Sequence, residues 1–275
     1  MTRNLKMTVL IDNLAGETLS CEWGLSILIE ADGKKILLDT GASGLFAQNA
    51  QRLNINLSEV DIGVLSHAHY DHADGMEVFF SYNDHAMFLL REGCDENCFG
   101  VKEGVLRYNG ICRGVLARHA DRIHFVRGVY QIAEGIWLLP HRTGDYTAIA
   151  RRNELYVLDK EGYVPDNFAH EQSLVIETEK GLVVFNSCSH AGVENILEDV
   201  REMLGRRDVC AYVGGLHLYK LTDEELSVLS GTLQASGIHR ILTGHCTGSH
   251  ACDFLKSRLG DQIEQISAGF SCTFN

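Results

Sequence analysis

Proline is nearly missing from this chain, with 2 residues in 275. No Pro-, Gly- or Ser-rich linker, low-complexity tract or internal repeat marks a domain boundary. Positive charge is also short: Lys plus Arg total 24 against 37 Asp plus Glu, a formal net charge of −13. That balance argues against nucleic acid and against an anionic membrane surface, because both reward basic patches. It leaves room for an anionic small molecule, since a bound divalent metal would offset the charge locally. No apolar run approaches the roughly 18 residues of a membrane helix. The run from Met7 to Ile11 stops at Asp12, short of the roughly 7–15 residues of a secretory core. The cysteines are odd in number, 9, and scattered; without a secretion signal they read as reduced thiols of a cytoplasmic protein. Cys94 and Cys98 have no second pair to complete a zinc knuckle, so they read as packing. Neither a phosphate-binding Gly loop, a dinucleotide fingerprint nor a Gly-x-Ser-x-Gly elbow occurs.

Histidine is what the chain has in number, 13 residues, on an ordinary globular background of 45% hydrophobic and 22% charged residues. Histidine is the commonest metal ligand and a frequent acid/base group, so its placement matters most. Strand signals fill the first third: Thr8 to Ile11, then a hairpin of Leu25 to Glu30 and Lys35 to Leu38 about the Asp32-Gly33 turn. Leu45 to Leu53 has helical spacing, and Asp61 to Leu65 and His85 to Leu90 read as strands. Residues 93–122 fit no clean period. Strands return at His124 to Val126 and Ile136 to Leu139, before a polar stretch from His141 to Ala169. A second hairpin, Ser173 to Glu177 and Leu182 to Phe185, turns at Glu179-Lys180-Gly181. Gly192 to Leu204 and Asp223 to Ala235 read as helices, the latter capped by Thr222. Val209 to Val213, His239 to Leu242 and Gln262 to Ile266 read as strands. The length allows about two domains; the pattern reads as one domain, 1–275, with an insertion or cap at about 93–165.

The strongest feature is His67-Ala68-His69-Tyr70-Asp71-His72, directly after an apolar strand. If the strand continued, His67 and His69 would share a face, and the next turn would bring Asp71 and His72 nearby. Three imidazoles and a carboxylate in six residues suit divalent metal, zinc foremost, one or two ions, with iron, manganese or cobalt as alternatives. The competing reading is a polar turn with incidental histidines. Three more histidines end strands: His190 in Asn186-Ser187-Cys188-Ser189-His190, His217 after Gly214-Gly215-Leu216, and His245 after Thr243-Gly244. His85, His119, His124, His141, His239 and His250 lack partners in sequence and read as surface or core residues.

The hexapeptide resembles the H-x-H-x-D-H signature of the metallo-β-lactamase superfamily. Asp39, in Leu38-Asp39-Thr40-Gly41, resembles the Asp that precedes that signature. The strand order resembles the family's α/β fold, a four-layer αββα sandwich with its metal site at one edge between two sheets. The later histidine phrases resemble the metal-dependent hydrolase branch that includes dihydropterin–ribofuranosylaminobenzene phosphate synthases. The resemblance implies that His67 and His69 hold one metal with a third histidine, His190 or its rival His170. It implies that Asp71, His72 and His245 hold a second. The chain departs from the pattern where a bridging Asp is expected, since Ser187 to His190 stands there instead.

The function so implied is a metal-dependent hydrolase acting on a small molecule, phosphorylated or pterin-like. A divalent ion lowers the pKa of bound water to about 7 and polarises a carbonyl or phosphoryl oxygen. Asp71 would orient that water, His217 would give a proton to the leaving group, and Asp39 would fix a ligating imidazole from behind. His217 could instead be packed under the Gly-Gly turn, and Cys246 reads as packing. Gly214, Gly215 and Gly244 would let substrate approach the backbone. Tyr70 and Trp23 could stack a flat ring, with core packing the other reading of Trp23. The alternatives are a metal-assisted transferase or synthase on a pterin-type substrate and, more weakly, a diiron redox protein. Diiron sites of this fold usually carry a carboxylate in the first-metal set and a bridging one, and neither is found.

Overall fold

The computed structural model describes residues 1–141, 146–205 and 208–274. The chain opens with β1 (Leu5–Ile11), β2 (Ser26–Ala31), β3 (Lys34–Leu38), α1 (Leu45–Arg52), β4 (Ile62–Val64), α2 (Tyr70–Ala73), α3 (Met76–Tyr82) and β5 (Met87–Arg91). Next come β6 (Cys98–Lys102), β7 (Val105–Tyr108), α4 (Val115–Arg118), β8 (Ile123–Val126), β9 (Tyr130–Ala133), β10 (Ile136–Pro140), α5 (Thr147–Asn153), β11 (Leu155–Asp159) and β12 (Gly162–Pro165). The remainder is β13 (Gln172–Thr178), β14 (Gly181–Phe185), α6 (Val193–Leu204), β15 (Val209–Val213), α7 (Asp223–Ala235), β16 (Arg240–Thr243), α8 (Ser249–Leu259), β17 (Ile263–Gln265) and β18 (Ser271–Thr273).

Two seven-stranded sheets run β18-β1-β2-β3-β4-β5-β8 and β17-β16-β15-β14-β13-β10-β9. Period-2 alternation assigns each strand two buried faces. In β2, Ile27 and Ile29 face the other sheet while Leu28 joins the layer shared with α1 and α3. In β14, Val183 and Phe185 face inward while Leu182 and Val184 meet α6, α7 and α8. Helix, sheet, sheet and helix therefore stack as four layers, the αββα sandwich of the sequence reading. Each fully buried aliphatic side chain contributes about 1.5–3 kcal/mol, and these three clusters hold the layers together.

The segment from 93 to 165 divides its allegiance. β6, β7, β11 and β12 form a separate four-stranded sheet, β12-β11-β6-β7, while β8, β9 and β10 belong to the two large sheets. Residues 142–145 of that segment lie outside the described residues. The last strand, β18, pairs with β1 and went unread. Thr222 caps α7 in a capping box with Glu225, as its position predicted. No helix among the described residues is long and apolar enough to cross a membrane.

The chain paths aim the functional segments. β3, β4, β5 and β8 are mutually parallel, as are β14, β15, β16 and β17. Parallel strands expose their carboxyl ends along one edge, where ligands bind in open α/β sheets. Asp39 follows β3, the His67–His72 segment follows β4, Cys188 and His190 follow β14, His217 follows β15 and His245 follows β16.

Candidate metal centre

The hexapeptide does not continue a strand. β4 stops at Val64, His67 and Ala68 lie in a bend, and His69 precedes the single turn of α2. The shared-face expectation for His67 and His69 is corrected accordingly. A coil segment places them together because it is tied down elsewhere: Gln172 N–H donates to Ser66 O at 2.8 Å, and Tyr70 N–H to Asn109 O at 2.9 Å.

One group brings His67, His69 and His190 together, with a ligand atom of each within 4.8 Å of the others. All three are buried. His67 Nε2, His69 Nε2 and both ring nitrogens of His190 are buried without a hydrogen-bond partner. Orphaned buried nitrogens are costly, and three pointing together call for a cation. Burial is the main force pushing His67 and His190 well below the ordinary histidine range, helped by neighbouring imidazoles, and it takes His69 down to about 3. The rings are held neutral, the form that ligates a metal.

The tautomer of His67 is set from behind. Ser66 Oγ donates to Asp39 Oδ2 at 2.6 Å, so its lone pair faces His67 Nδ1 at 2.8 Å and accepts that proton. His67 Nε2 is left with its lone pair free.

A second group lies alongside. His72 Nε2 is 3.1 Å from His245 Nε2, 3.8 Å from Asp71 Oδ2 and 3.2 Å from Cys188 Sγ. Asp71 Oδ2 is 3.4 Å from His245 Nε2. Ligands about 2.0–2.3 Å from a tetrahedral ion stand roughly 3.3–3.8 Å apart, close to the 3.1–3.8 Å found here. His72 Nδ1 donates to Asp39 Oδ2 at 2.8 Å. His245 Nδ1 donates to Asn13 Oδ1 at 3.0 Å, an orientation fixed by Asn13 Nδ2 donating to His245 O at 3.1 Å. Both Nε2 atoms therefore turn lone pairs towards each other and a carboxylate, an arrangement that needs a proton or a metal ion between them. Burial alone would raise the Asp71 carboxyl, but His72 and His245 outweigh it and hold it below the usual carboxylate range. The residues present fit a divalent metal.

His170 is placed differently. Ala68 N–H donates to His170 Nδ1 at 3.2 Å, and Nε2 faces Asp166 Oδ2 at 2.9 Å. Both nitrogens are engaged, whereas those of His190 are free. His217 lies beside His190, ring centroids 4.4 Å apart, with both its nitrogens buried and unpartnered.

Cys188 is the residue that sequence reasoning missed. The expectation sought a carboxylate after the second hairpin, and the thiol two residues before His190 occupies that place. Cys188 groups with His67 and His72 on one side and with His190 and His217 on the other. Asn13, Asp12 and Glu171 were also missed. Asp12 Oδ2 accepts His245 N–H at 3.0 Å. Glu171 accepts the N–H groups of His190 and Ala191 at 2.8 and 3.0 Å, and burial raises its carboxyl to about 7. Among the remaining histidines, His141 is buried against Asn186, with Nε2 3.1 Å from Asn186 Nδ2, while His250 pairs with Asp223 at the surface.

The glycine expectation is corrected too. A Cβ on Gly214, at φ +132°, would sit 1.9 Å from Asn186 O, and one on Gly215 would sit 2.4 Å from Cys246 Sγ. What comes close to this backbone is the chain itself. Gly244 likewise faces Asp12. Backbone strain gathers at the centre: Asp39, Phe168, Ser189, His217 and His245 all have φ between 46° and 59°, a cost of about 1–3 kcal/mol each for a non-glycine residue.

The model of the metallo-β-lactamase superfamily matches residues 24–88, which include Asp39 and the whole hexapeptide. Over nearly its whole length the chain is 29% identical, across 297 residues, to the 7,8-dihydropterin-6-methyl-4-(β-D-ribofuranosyl)-aminobenzene-5'-phosphate synthase of Methanocaldococcus jannaschii, covering 97% of this chain and 95% of that one. It is also similar to the crystal structure of a metal-dependent hydrolase of the β-lactamase superfamily: TM-score 0.80, 27% identity, 98% of each chain covered. A diphosphatase of the PhnP family shares the fold at TM-score 0.56 and 15% identity, with 100% of this chain and 98% of that one covered.

Proposed function

We propose that the chain is a metal-dependent hydrolase of a small-molecule ester or phosphoester, and that zinc is its metal. The observation that carries this reading is the pair of imidazole lone pairs, His72 Nε2 and His245 Nε2, 3.1 Å apart beside Asp71 and Cys188. His67, His69 and His190 would hold one ion; Asp71, His72, His245 and Cys188 would hold the other. An all-imidazole set beside one with a thiolate suits zinc, and its lack of a first-set carboxylate argues against diiron chemistry. A divalent ion so bound supplies Lewis-acid polarisation and a more acidic water.

The chain's own residues do the rest. Asp71, held ionised, accepts a hydrogen bond from the attacking water and orients it. His217, unpartnered beside His190, holds the proton for the leaving group. Asp39 and Asn13 keep the ligating nitrogens aimed inward.

A second reading, a transferase or synthase on a pterin-type substrate, is favoured by the near full-length similarity to the synthase. Turnover of generic phosphodiesters and thioesters, set against a pterin plus an aminobenzene ribofuranosyl phosphate, separates the two. Hydrolysis by the wild type that disappears in His67→Ala and Asp71→Ala supports the first reading. Turnover retained after the metal is lost refutes it.

A further inference from the structure

Two large aromatic side chains stand half in solvent against imidazoles of the metal centre. Trp23 is 48% exposed and Tyr219 is 46% exposed. Exposed apolar residues scattered singly need no explanation, but these two converge from opposite halves of the molecule. Trp23 lies on the connection between β1 and β2, and Tyr219 on the loop after β15. Their ring centroids are 6.3 Å apart at an interplanar angle of 86°. Trp23 is 5.1 Å from the His245 ring and Tyr219 is 4.9 Å from the His217 ring. The His245 and His217 imidazoles therefore form the floor of a right-angled aromatic corner.

The chain on either side of Trp23 is tied down. On one side of Trp23, Gly24 N–H donates to Asn13 Oδ1 at 3.2 Å. On the other, the Glu22 carboxylate accepts Ala42 N–H at 3.1 Å and Ser43 Oγ–H at 2.6 Å. Tyr219 has its Cβ over Gly248, 3.2 Å from where a side chain there would begin. Tyr70, the other aromatic near the motif, lines a separate recess with Tyr108 and Arg113.

We propose that Trp23 and Tyr219 bind a planar, conjugated ring of the substrate, stacked on one wall and met edge-on by the other. Aromatic pairs prefer offset-stacked or edge-to-face contact at 4.5–7 Å, and a perpendicular corner offers a flat ring both at once. An alicyclic group of the same size gains neither. The reacting bond then lies close to the ring, because the walls touch the floor histidines directly. This assignment deepens the proposed function and rests on it for the position of the reacting bond.

Equilibrium binding to the metal-loaded protein tests it, using pterin as the ring and the polarisation of pterin's own fluorescence as the signal. Competition by 4-aminobenzoate and by cyclohexanecarboxylate compares a flat ring with a puckered one. The expected results are pterin binding to the wild type, weaker by about 5- to 10-fold in Trp23→Ala and in Tyr219→Ala, and restored in Trp23→Phe. Cyclohexanecarboxylate should compete far less well than 4-aminobenzoate. Pterin that fails to bind the wild type, or binds both alanine variants as tightly, overturns the assignment. Ring binding that fades in the alanine variants while no ester is hydrolysed upholds the corner and refutes the hydrolase reading instead.

Discussion

Asp39→Asn is a nearly isosteric change at a fully buried position that should disarm the metal centre while sparing the fold. Asp39 accepts three hydrogen bonds: Ser66 N–H on Oδ1 at 2.7 Å, and Ser66 Oγ–H at 2.6 Å and His72 Nδ1–H at 2.8 Å on Oδ2. The amide oxygen of Asn keeps the first. Its NH2 group meets two donors where the carboxylate oxygen stood. Relief requires His72 to move its proton from Nδ1 to Nε2, which closes the nitrogen that faces His245. The Ser66 hydroxyl loses its acceptor as well, and with it the acceptor geometry that fixes His67. Asn tolerates the φ of +59° at this position better than most residues do. Losing hydrogen bonds to a charged group costs about 1.5–3 kcal/mol, or roughly 3–12 °C in Tm for a chain of this size. Metal affinity should fall by about 10- to 100-fold. Competition titration against a chromophoric chelator reads the affinity, and melting in excess chelator reads the fold without metal. Wild-type metal affinity in Asp39→Asn, whatever its Tm, would refute the reasoning.

Other substitutions probe separate links. Cys188→Ala should lose one bound ion per chain while Cys188→Asp keeps it, measured by elemental analysis of the purified variants; equal metal content in the wild type and the alanine variant would remove Cys188 from the centre. Chelation should lower the wild-type Tm, because bound metal stabilises only the folded state, and should leave the Tm of His67→Ala closer to its starting value. Gly214→Ala places a methyl against Asn186 O at an unfavourable φ and should cost on the order of 3 kcal/mol by denaturant unfolding. Thr222→Ala breaks the α7 capping box and should cost about 1 kcal/mol with activity unchanged, since it lies outside the ligand sets.

The sandwich was legible where both periodicity and turn chemistry spoke. β2 with β3 and β13 with β14 alternate between two buried faces around short turns, so their pattern survives without tertiary information. The small sheet was not legible. Val105 and Leu106 in β7 and Leu158 in β11 are exposed, so these strands carry no clean alternation of apolar and polar residues. At the centre, six consecutive residues announced a metal chemistry, and the strand-end histidines gave its other half. Cys188 escaped because a thiol read alone is a packing residue; only the fold brings it 3.2 Å from His72. Asn13 and Asp12 escaped because they act on His245 from 232 and 233 residues away in sequence.

Metal content, measured on protein purified without added metal and again on His190→Ala and His245→Ala, bears most directly on the central claim. About two zinc ions per wild-type chain, about one in each variant, and loss of turnover in both are expected. A wild type that is metal-free yet active, or variants that keep the full metal content, would contradict it.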